Sequence, residues 1–154
     1  MTAKNAKINK IEIVVEPDAD PDMSYWGEFS NTPEAGALAH HGGPGAYKWF
    51  NPNQDAHNTP EYGREAYERM LAYERQEWCM VGVRAEATLV INGTLQTIQT
   101  PGVWGVESDS GHDYIEQEVG SEQYAELVDI LKALGINEDN IPAWEDIDPA
   151  KHGE

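Results

Sequence analysis

The sequence is poor in cysteine, in basic side chains and in aliphatic residues. Its 154 residues include one cysteine, and ten lysines and arginines stand against 28 aspartates and glutamates, for a formal net charge of −18 at pH 7. A single cysteine excludes an internal disulfide framework. No apolar run approaches the roughly 20 residues of a membrane-spanning helix, and no secretory leader pattern is present. We therefore expect a reduced, cytoplasmic protein.

The shortage of basic residues is most pronounced at the end of the chain. Residues 107–154 contain 14 acidic side chains against Lys132 and Lys151. A surface of this charge repels phosphate backbones and anionic lipids, so direct binding to nucleic acid or to membranes is not expected. The favoured partner is a protein with a basic groove, although acidity that merely maintains solubility is an equally open interpretation.

Aliphatic residues are few enough to raise the question of disorder. Leu, Ile, Val and Phe number 7, 10, 9 and 2, about 18% of the chain, a range typical of disordered proteins when the net charge is high. Five tryptophans and seven tyrosines compensate, because each large aromatic side chain buries more surface than an aliphatic one. The length and these aromatic residues predict one folded domain.

Alternation and turn signals predict a mainly antiparallel sheet. From Met80 to Ile91 apolar residues recur at every second position, and Asn92-Gly93 is the preferred turn of a two-residue hairpin. This turn would place Ile91 opposite Thr94 and Ala87 opposite Ile98. Further strands are predicted at 11–15 and 103–107, and an aromatic-rich loop at 24–58.

Helix signals occur at three places. Thr59-Pro60 predicts the start of a helix that runs to about Trp78, and further helical pieces are predicted at 112–119 and 121–134, with Ser121 as N-cap and Gly135 at the C-terminal cap. The predicted fold class is α+β, an antiparallel sheet of about four strands with two or three helices on one face. We expect a flexible basic arm at 1–10, a single domain at 11–136 and an acidic tail at 137–154.

Motifs of catalysis and cofactor binding are missing. The sequence contains no phosphate-binding loop, no dinucleotide fingerprint, and no HExxH, CxxC or G-x-S-x-G pattern, so we expect no cofactor and assign no catalytic residue. Cys79 lies between Trp78 and Met80, which predicts that it is buried. The chemistry favours a protein that is not an enzyme.

Two acidic clusters are weak candidates for metal binding. Asp18, Asp20 and Asp22 have the alternation that opens a calcium loop, but the later positions of that loop do not match, and a capped turn is the more common explanation. Glu107, Asp109 and Asp113 lie beside His112. Such residues also cap helix N-termini, and we favour that interpretation over a metal site.

A partner-binding surface is the better-supported prediction for these acids. In a continuous helix, Glu118, Glu122, Glu126 and Asp129 recur at spacings of four, four and three residues and would form one stripe. The predicted acidic face comprises Glu107, Asp109, Asp113, Glu118, Glu122, Glu126 and Asp129. In the aromatic loop, Tyr25, Trp26 and Trp49 are candidate anchors for a partner.

Two sequence blocks resemble a known group of proteins. EPDADPDMSYWGEFSNT at 16–32 and GVWGVESDSGHDYI at 102–115, followed by an acidic helix ending in LKALG, resemble uncharacterised small acidic proteins of bacteriophages and bacterial mobile elements. The resemblance covers about a third of the chain. It implies a genomic context rather than a mechanism. Small, strongly acidic proteins of that context often occupy a basic nucleic-acid groove of a host enzyme. By analogy of charge and context, we expect a non-enzymatic inhibitor of a host defence or nucleic-acid-processing protein, a nucleic-acid mimic of the anti-CRISPR or antirestriction type.

Two alternatives remain open from the sequence. One is a divalent-metal-dependent hydrolase that uses the Asp/Glu/His clusters described above. The other is a minor component of a phage particle.

Overall fold

The computed structural model describes residues 6–147, and it confirms the α+β class with an antiparallel sheet. The chain forms two compact units. One contains the described residues up to Ala19 and from Met80 onward, and the other is Asp20–Cys79. The second unit is thus inserted in the chain between two strands of the first.

Seven strands and three α-helices are described. The strands are β1 (Ala6–Pro17), β2 (Gly27–Ser30), β3 (Leu38–Ala39), β4 (Trp49–Pro52), β5 (Met80–Ile91), β6 (Thr94–Gln99) and β7 (Val103–Glu107). The helices are α1 (Pro60–Glu74), α2 (Gly120–Ala133) and α3 (Trp144–Ile147), with a π-helix at Asp113–Val119 and a 3₁₀ turn at Glu138–Asn140. Among these described residues, no helix is both long and apolar enough to span a membrane.

The first unit is built on β5, the central strand of a four-stranded antiparallel sheet. One edge of β5 pairs with β1, and the other pairs first with β7 and then with β6. The predicted hairpin register is confirmed, with Ile91 opposite Thr94 and Ala87 opposite Ile98. Asn92 and Gly93 have φ angles of 51° and 81°, as the predicted turn requires.

The core of this unit lies on one face of the sheet. Ala85 and Ala87 are fully buried on β5, and Leu127 and Leu131 of α2 belong to the same cluster. Since alanine side chains are short, the helix packs close to the strand. This close packing explains how a chain with few large aliphatic residues forms a well-packed core.

A buried polar group lies where the partner of β5 changes. Thr100 follows β6, and its backbone N–H donates to the Ala85 carbonyl at 3.0 Å. Its hydroxyl oxygen accepts from the Ala85 N–H at 3.0 Å and donates to Gln123 Oε1 at 2.5 Å. Thr100 thus completes the backbone hydrogen bonds of the sheet at the break and ties α2 to it.

The first strand is longer than predicted. It begins at Ala6 rather than at residue 11, so the second half of the expected basic arm, residues 6–10, lies in the sheet, whereas residues 1–5 are outside the described chain. A register shift between Ile8 and Lys10 marks a bulge. The lysines hide the strand pattern of these residues in the sequence, and they form a strand because they pair with β5.

The second unit contains a sheet where the sequence predicted a long loop. The three short strands pair antiparallel in the order β2, β4, β3, and Phe50 of β4 is fully buried against Ala66 and Met70 of α1. At Gly27 a side chain would lie 2.4 Å from the Asn51 carbonyl oxygen and the φ angle is 139°, so only glycine permits this pairing.

Helix α1 begins as predicted and ends earlier. The Thr59 hydroxyl accepts a hydrogen bond from the Tyr62 N–H at 3.1 Å, the bond expected of an N-cap. The helix ends at Glu74 rather than near Trp78, and Gln76 just beyond it has a φ of 62°, a left-handed conformation that no helix continues through.

The two helical pieces predicted at 112–119 and 121–134 form one uninterrupted run, because the π-helix continues directly into α2. Ser121 is therefore not an N-cap, and its hydroxyl donates to the Glu118 carbonyl at 3.0 Å. Gly135 ends the run as predicted, with a φ of 93° and a bond from the Ile136 N–H to the Leu131 carbonyl.

The described part of the predicted acidic tail, residues 137–147, packs on the first unit. Ile141 and Ile147 contact the core cluster of α2, and the Tyr124 hydroxyl donates to the Pro142 carbonyl at 2.5 Å. The Tyr124 and Trp144 rings lie 5.5 Å apart. Residues 148–154, the rest of the predicted tail, lie outside the described chain.

Candidate acidic binding surface

Four carboxylates form one stripe along the helical run of the first unit. Glu118 lies in the last turn of the π-helix and Glu122, Glu126 and Asp129 in α2, and all four are exposed. Because a helix turns by about 100° per residue, these positions fall within a sector of about 80°. The stripe predicted for a continuous helix is thus present as a geometric feature, and it is called the acidic stripe below.

The acidic stripe lies on the side of the helix opposite the core. Gln123, Leu127 and Leu131 are buried on the inner side. The Gln123 side chain fixes the rotation of the helix through its hydrogen bond with Thr100, and its Nε2 atom donates to Glu126 Oε2 at 3.3 Å. The packing therefore determines which carboxylates face outward.

Few cations accompany these acids. Residues 107–147 contain 12 acidic side chains and Lys132 as the one lysine or arginine. Lys132 Nζ is 3.5 Å from Glu138 Oε1, and His112 Nδ1 is 3.0 Å from Glu116 Oε2. The carboxylates of these two pairs are not part of the acidic stripe.

The other three acids of the predicted face lie before and at the start of the helical run. Glu107 ends β7, Asp109 lies in the following turn and Asp113 begins the π-helix. His112 is the N-cap residue of the π-helix and makes no side-chain capping bond of its own. The Ser110 hydroxyl donates to the Glu107 carbonyl at 2.7 Å and closes the turn before it.

The predicted aromatic anchors all lie in the second unit and differ in exposure. Trp26 is half-buried, its ring stacks on His57 at 5.3 Å, and the Arg69 guanidinium lies 5.7 Å from its ring centroid. Trp49 is half-buried in β4. Tyr25 is 57% exposed, which makes it the most accessible of the three predicted anchors.

Two exposed aromatic side chains in the first unit were not predicted as anchors. Trp104 on β7 is 47% exposed, and Tyr114 in the π-helix is 45% exposed. The Trp104 ring lies against Gly82 so closely that a side chain there would be 2.3 Å from it, and its indole N–H donates to the Pro101 carbonyl at 3.0 Å. The contact joins residues of two neighbouring strands, so no local sequence pattern indicated it.

The weak metal candidates are not gathered into a site. Among residues 6–147, no three His, Cys, Asp or Glu side chains form a group that could hold a metal ion, so Asp18, Asp20, Asp22 and His112 do not combine in this way. Asp22 instead closes a turn: its Oδ1 accepts from the Ser24 N–H at 3.0 Å, and the hydrogen bonds from Ser24 lower the pKa of this carboxyl group. Cys79 is exposed, contrary to the prediction of a buried thiol.

Comparison of the chain with protein-family models, with curated proteins and with solved structures finds no match.

Proposed function

We propose that this protein is a non-enzymatic binder whose acidic stripe occupies a basic, nucleic-acid-binding groove of a host protein. The observation that carries the proposal is the single row of four exposed carboxylates, Glu118 to Asp129, on one continuous helical run. The proposed target is a defence or nucleic-acid-processing protein. Inhibition follows because the groove cannot hold the acidic protein and its nucleic acid together.

The spacing of the charges supports mimicry of a phosphate backbone. A helix rises about 1.5 Å per residue, so the 11 steps from Glu118 to Asp129 span about 16.5 Å, with neighbouring carboxylates about 4.5 to 6 Å apart along the axis. One strand of duplex DNA carries a charge every 3.4 Å along its axis. The acidic stripe alone thus has about 60% of the linear charge density of one strand, and Glu107, Asp109 and Asp113 add to the charge of the same unit.

Exposed aromatic groups are the proposed source of affinity beyond charge. Complementary charge accelerates association and selects the partner, whereas buried aromatic side chains usually supply most of the binding energy. Trp104 and Tyr114 lie in the same unit as the acidic stripe and expose nearly half of their surface. We assign them the anchoring role within this proposal, with Tyr25 as the candidate from the second unit.

The test is capture of partners from a bacterial lysate at 50, 150 and 500 mM NaCl with the purified protein as bait. We expect a basic protein that is retained at 50 mM, is released by 500 mM salt and is displaced by added duplex DNA. Removing four phosphate-like contacts should lower the affinity strongly at low salt, since each contact contributes to the salt dependence of binding. The variant carries Glu118→Gln, Glu122→Gln, Glu126→Gln and Asp129→Asn.

A matched control variant has the same total charge as the stripe variant. Glu61, Glu65, Glu68 and Glu74 are exposed acids of α1, and their replacement by Gln changes the net charge by the same four units. We expect the control to retain its partner when the stripe variant loses it. Equal losses in the two variants, or retention that DNA does not compete, would contradict groove occupation by the acidic stripe.

A further inference from the structure

Within the described residues 6–147, the outer edge of β1 is a long strand edge to which no further strand pairs. The strand has 12 residues, and among residues 6–147 its one sheet partner is β5. An edge of this kind presents a row of backbone N–H and C=O groups that can pair with a further strand. Val15 on this edge is 39% exposed, so a side chain of the core face also remains accessible there.

Two interruptions delimit the part of this edge that is regular. The bulge between Ile8 and Lys10 bounds it on one side. Pro17, which has no N–H, bounds it on the other. The regular segment is therefore 10–16, seven residues with Ile13 at the centre, and the two interruptions lie at equal distances from that residue.

This segment is complementary to itself in the antiparallel direction. When two copies pair about Ile13, Lys10 of each lies opposite Glu16 of the other, and Ile11 lies opposite Val15. The pairing with β5 puts Ile11, Ile13 and Val15 on one face and Lys10 and Glu16 on the other. Residues opposite each other in an antiparallel pair share a face, so Ile11 meets Val15 and Lys10 meets Glu16 of the other copy, while Glu12 lies opposite Val14.

Basic residues are concentrated at the start of β1. Lys4, Lys7 and Lys10 are three of the ten basic residues, and no acid occurs in residues 1–10. Lys7 and Lys10 of β1 therefore reduce the repulsion between two copies of net charge −18 where these edges meet. From the edge, its symmetric limits and its self-complementary charges, we propose that two copies of the chain associate through antiparallel pairing of β1 with β1, centred on Ile13.

The dimer does not depend on the proposed groove binding, and salt separates the two. Screening reduces the repulsion between the acidic copies, so the monomer–dimer dissociation constant should fall as NaCl rises from 50 to 500 mM. Capture of a basic partner by the acidic stripe has the opposite salt dependence. Sedimentation equilibrium of the full chain from 10 μM to 1 mM measures the constant.

Lys10→Glu tests the charge complementarity. It replaces two attractive cross-strand pairs by two repulsive ones, and we expect the dissociation constant to rise about tenfold or more. Lys48→Glu, at an exposed position of the second unit, makes the same change in net charge and should alter it less than threefold. Circular dichroism verifies that both variants are folded.

Spin labels test the register. In a Cys79→Ser background, labels at Lys10→Cys and Val14→Cys report the distance to the same position in the second copy. With about 3.4 Å per residue and 4.8 Å between strands, pairing about Ile13 predicts Cα separations of about 21 Å at position 10 and about 8 Å at position 14. A chain that stays monomeric at 1 mM and 500 mM NaCl, or a dimer with other distances, would overturn the proposal.

Discussion

Replacing Thr100 by valine tests how strongly buried hydrogen bonds hold α2, which carries most of the acidic stripe, on the sheet. Thr100 is 1% exposed, and its hydroxyl group is the link between the Ala85 amide of the sheet and the Gln123 side chain of α2. Valine has nearly the same shape as threonine. The substitution therefore removes the hydroxyl while leaving the packing of the core almost unchanged.

The expected loss of stability follows from the groups left behind. Without the hydroxyl, the Ala85 N–H lacks its acceptor and Gln123 Oε1 lacks its donor, and both residues are buried. A buried polar group left unsatisfied costs about 1–3 kcal/mol. Two such groups give an expected decrease of about 2–6 kcal/mol in the free energy of unfolding, a large share of the roughly 5–15 kcal/mol typical of a domain.

Urea unfolding followed by circular dichroism measures this decrease, and the two compact units are fitted as separate transitions where the curve shows two. Thr100→Ser, which keeps the hydroxyl group, is the control and should lose about 1 kcal/mol for the missing methyl group. Thr100→Val combined with Gln123→Leu should cost less than the sum of the single changes, because the second change removes one of the unsatisfied groups. A loss below 0.5 kcal/mol (about the size of a neutral surface change) for Thr100→Val would refute the reasoning.

Two further substitutions probe single contacts of the first unit. Gly82→Ala would place a side-chain carbon 2.3 Å from the Trp104 ring, so the ring should move and its indole N–H should lose the hydrogen bond to the Pro101 carbonyl. The indole N–H resonance should then shift in the NMR spectrum. An unchanged resonance would contradict the packing. Burial, and then the charges of Glu145, Asp146 and Glu138, raise the pKa of Tyr124. The free energy of unfolding should therefore fall as the pH rises from about 10, where the phenol of the unfolded chain ionises, toward the higher pKa of the folded state. Tyr124→Phe should abolish this decrease in unfolding curves measured at several pH values. An equal decrease in the variant would exclude Tyr124 as its source.

Strong local signals in the sequence were sufficient for the hairpin and two helix ends. The Asn92-Gly93 turn fixes the register of β5 and β6, and Thr59 and Gly135 cap their helices as expected. In each of these cases a few neighbouring residues determine the backbone conformation. Elements that depend on distant partners were missed or shortened.

The missed elements show what distant contacts add. The strands β2, β3 and β4 have two to four residues each, too few for an alternation to be recognised, and they form because α1 covers Phe50. Ala6 to Lys10 were assigned to an arm because their lysines hide the pattern, and β5 supplies the pairing. The Trp104 ring packs on Gly82 of the neighbouring strand, a contact that no local pattern reveals.

Gly120 shows how one contact decides the form of the candidate site. Glycine often ends a helix, and a break there would have separated Glu118 from the other carboxylates of the acidic stripe. Instead Gly120 is helical and buried, and a side chain at this position would lie 3.3 Å from Ile13 Cγ2 of β1. The glycine is thus present because the helix crosses the sheet closely at this point. The same close approach buries one side of the helix and directs its carboxylates outward as a continuous row.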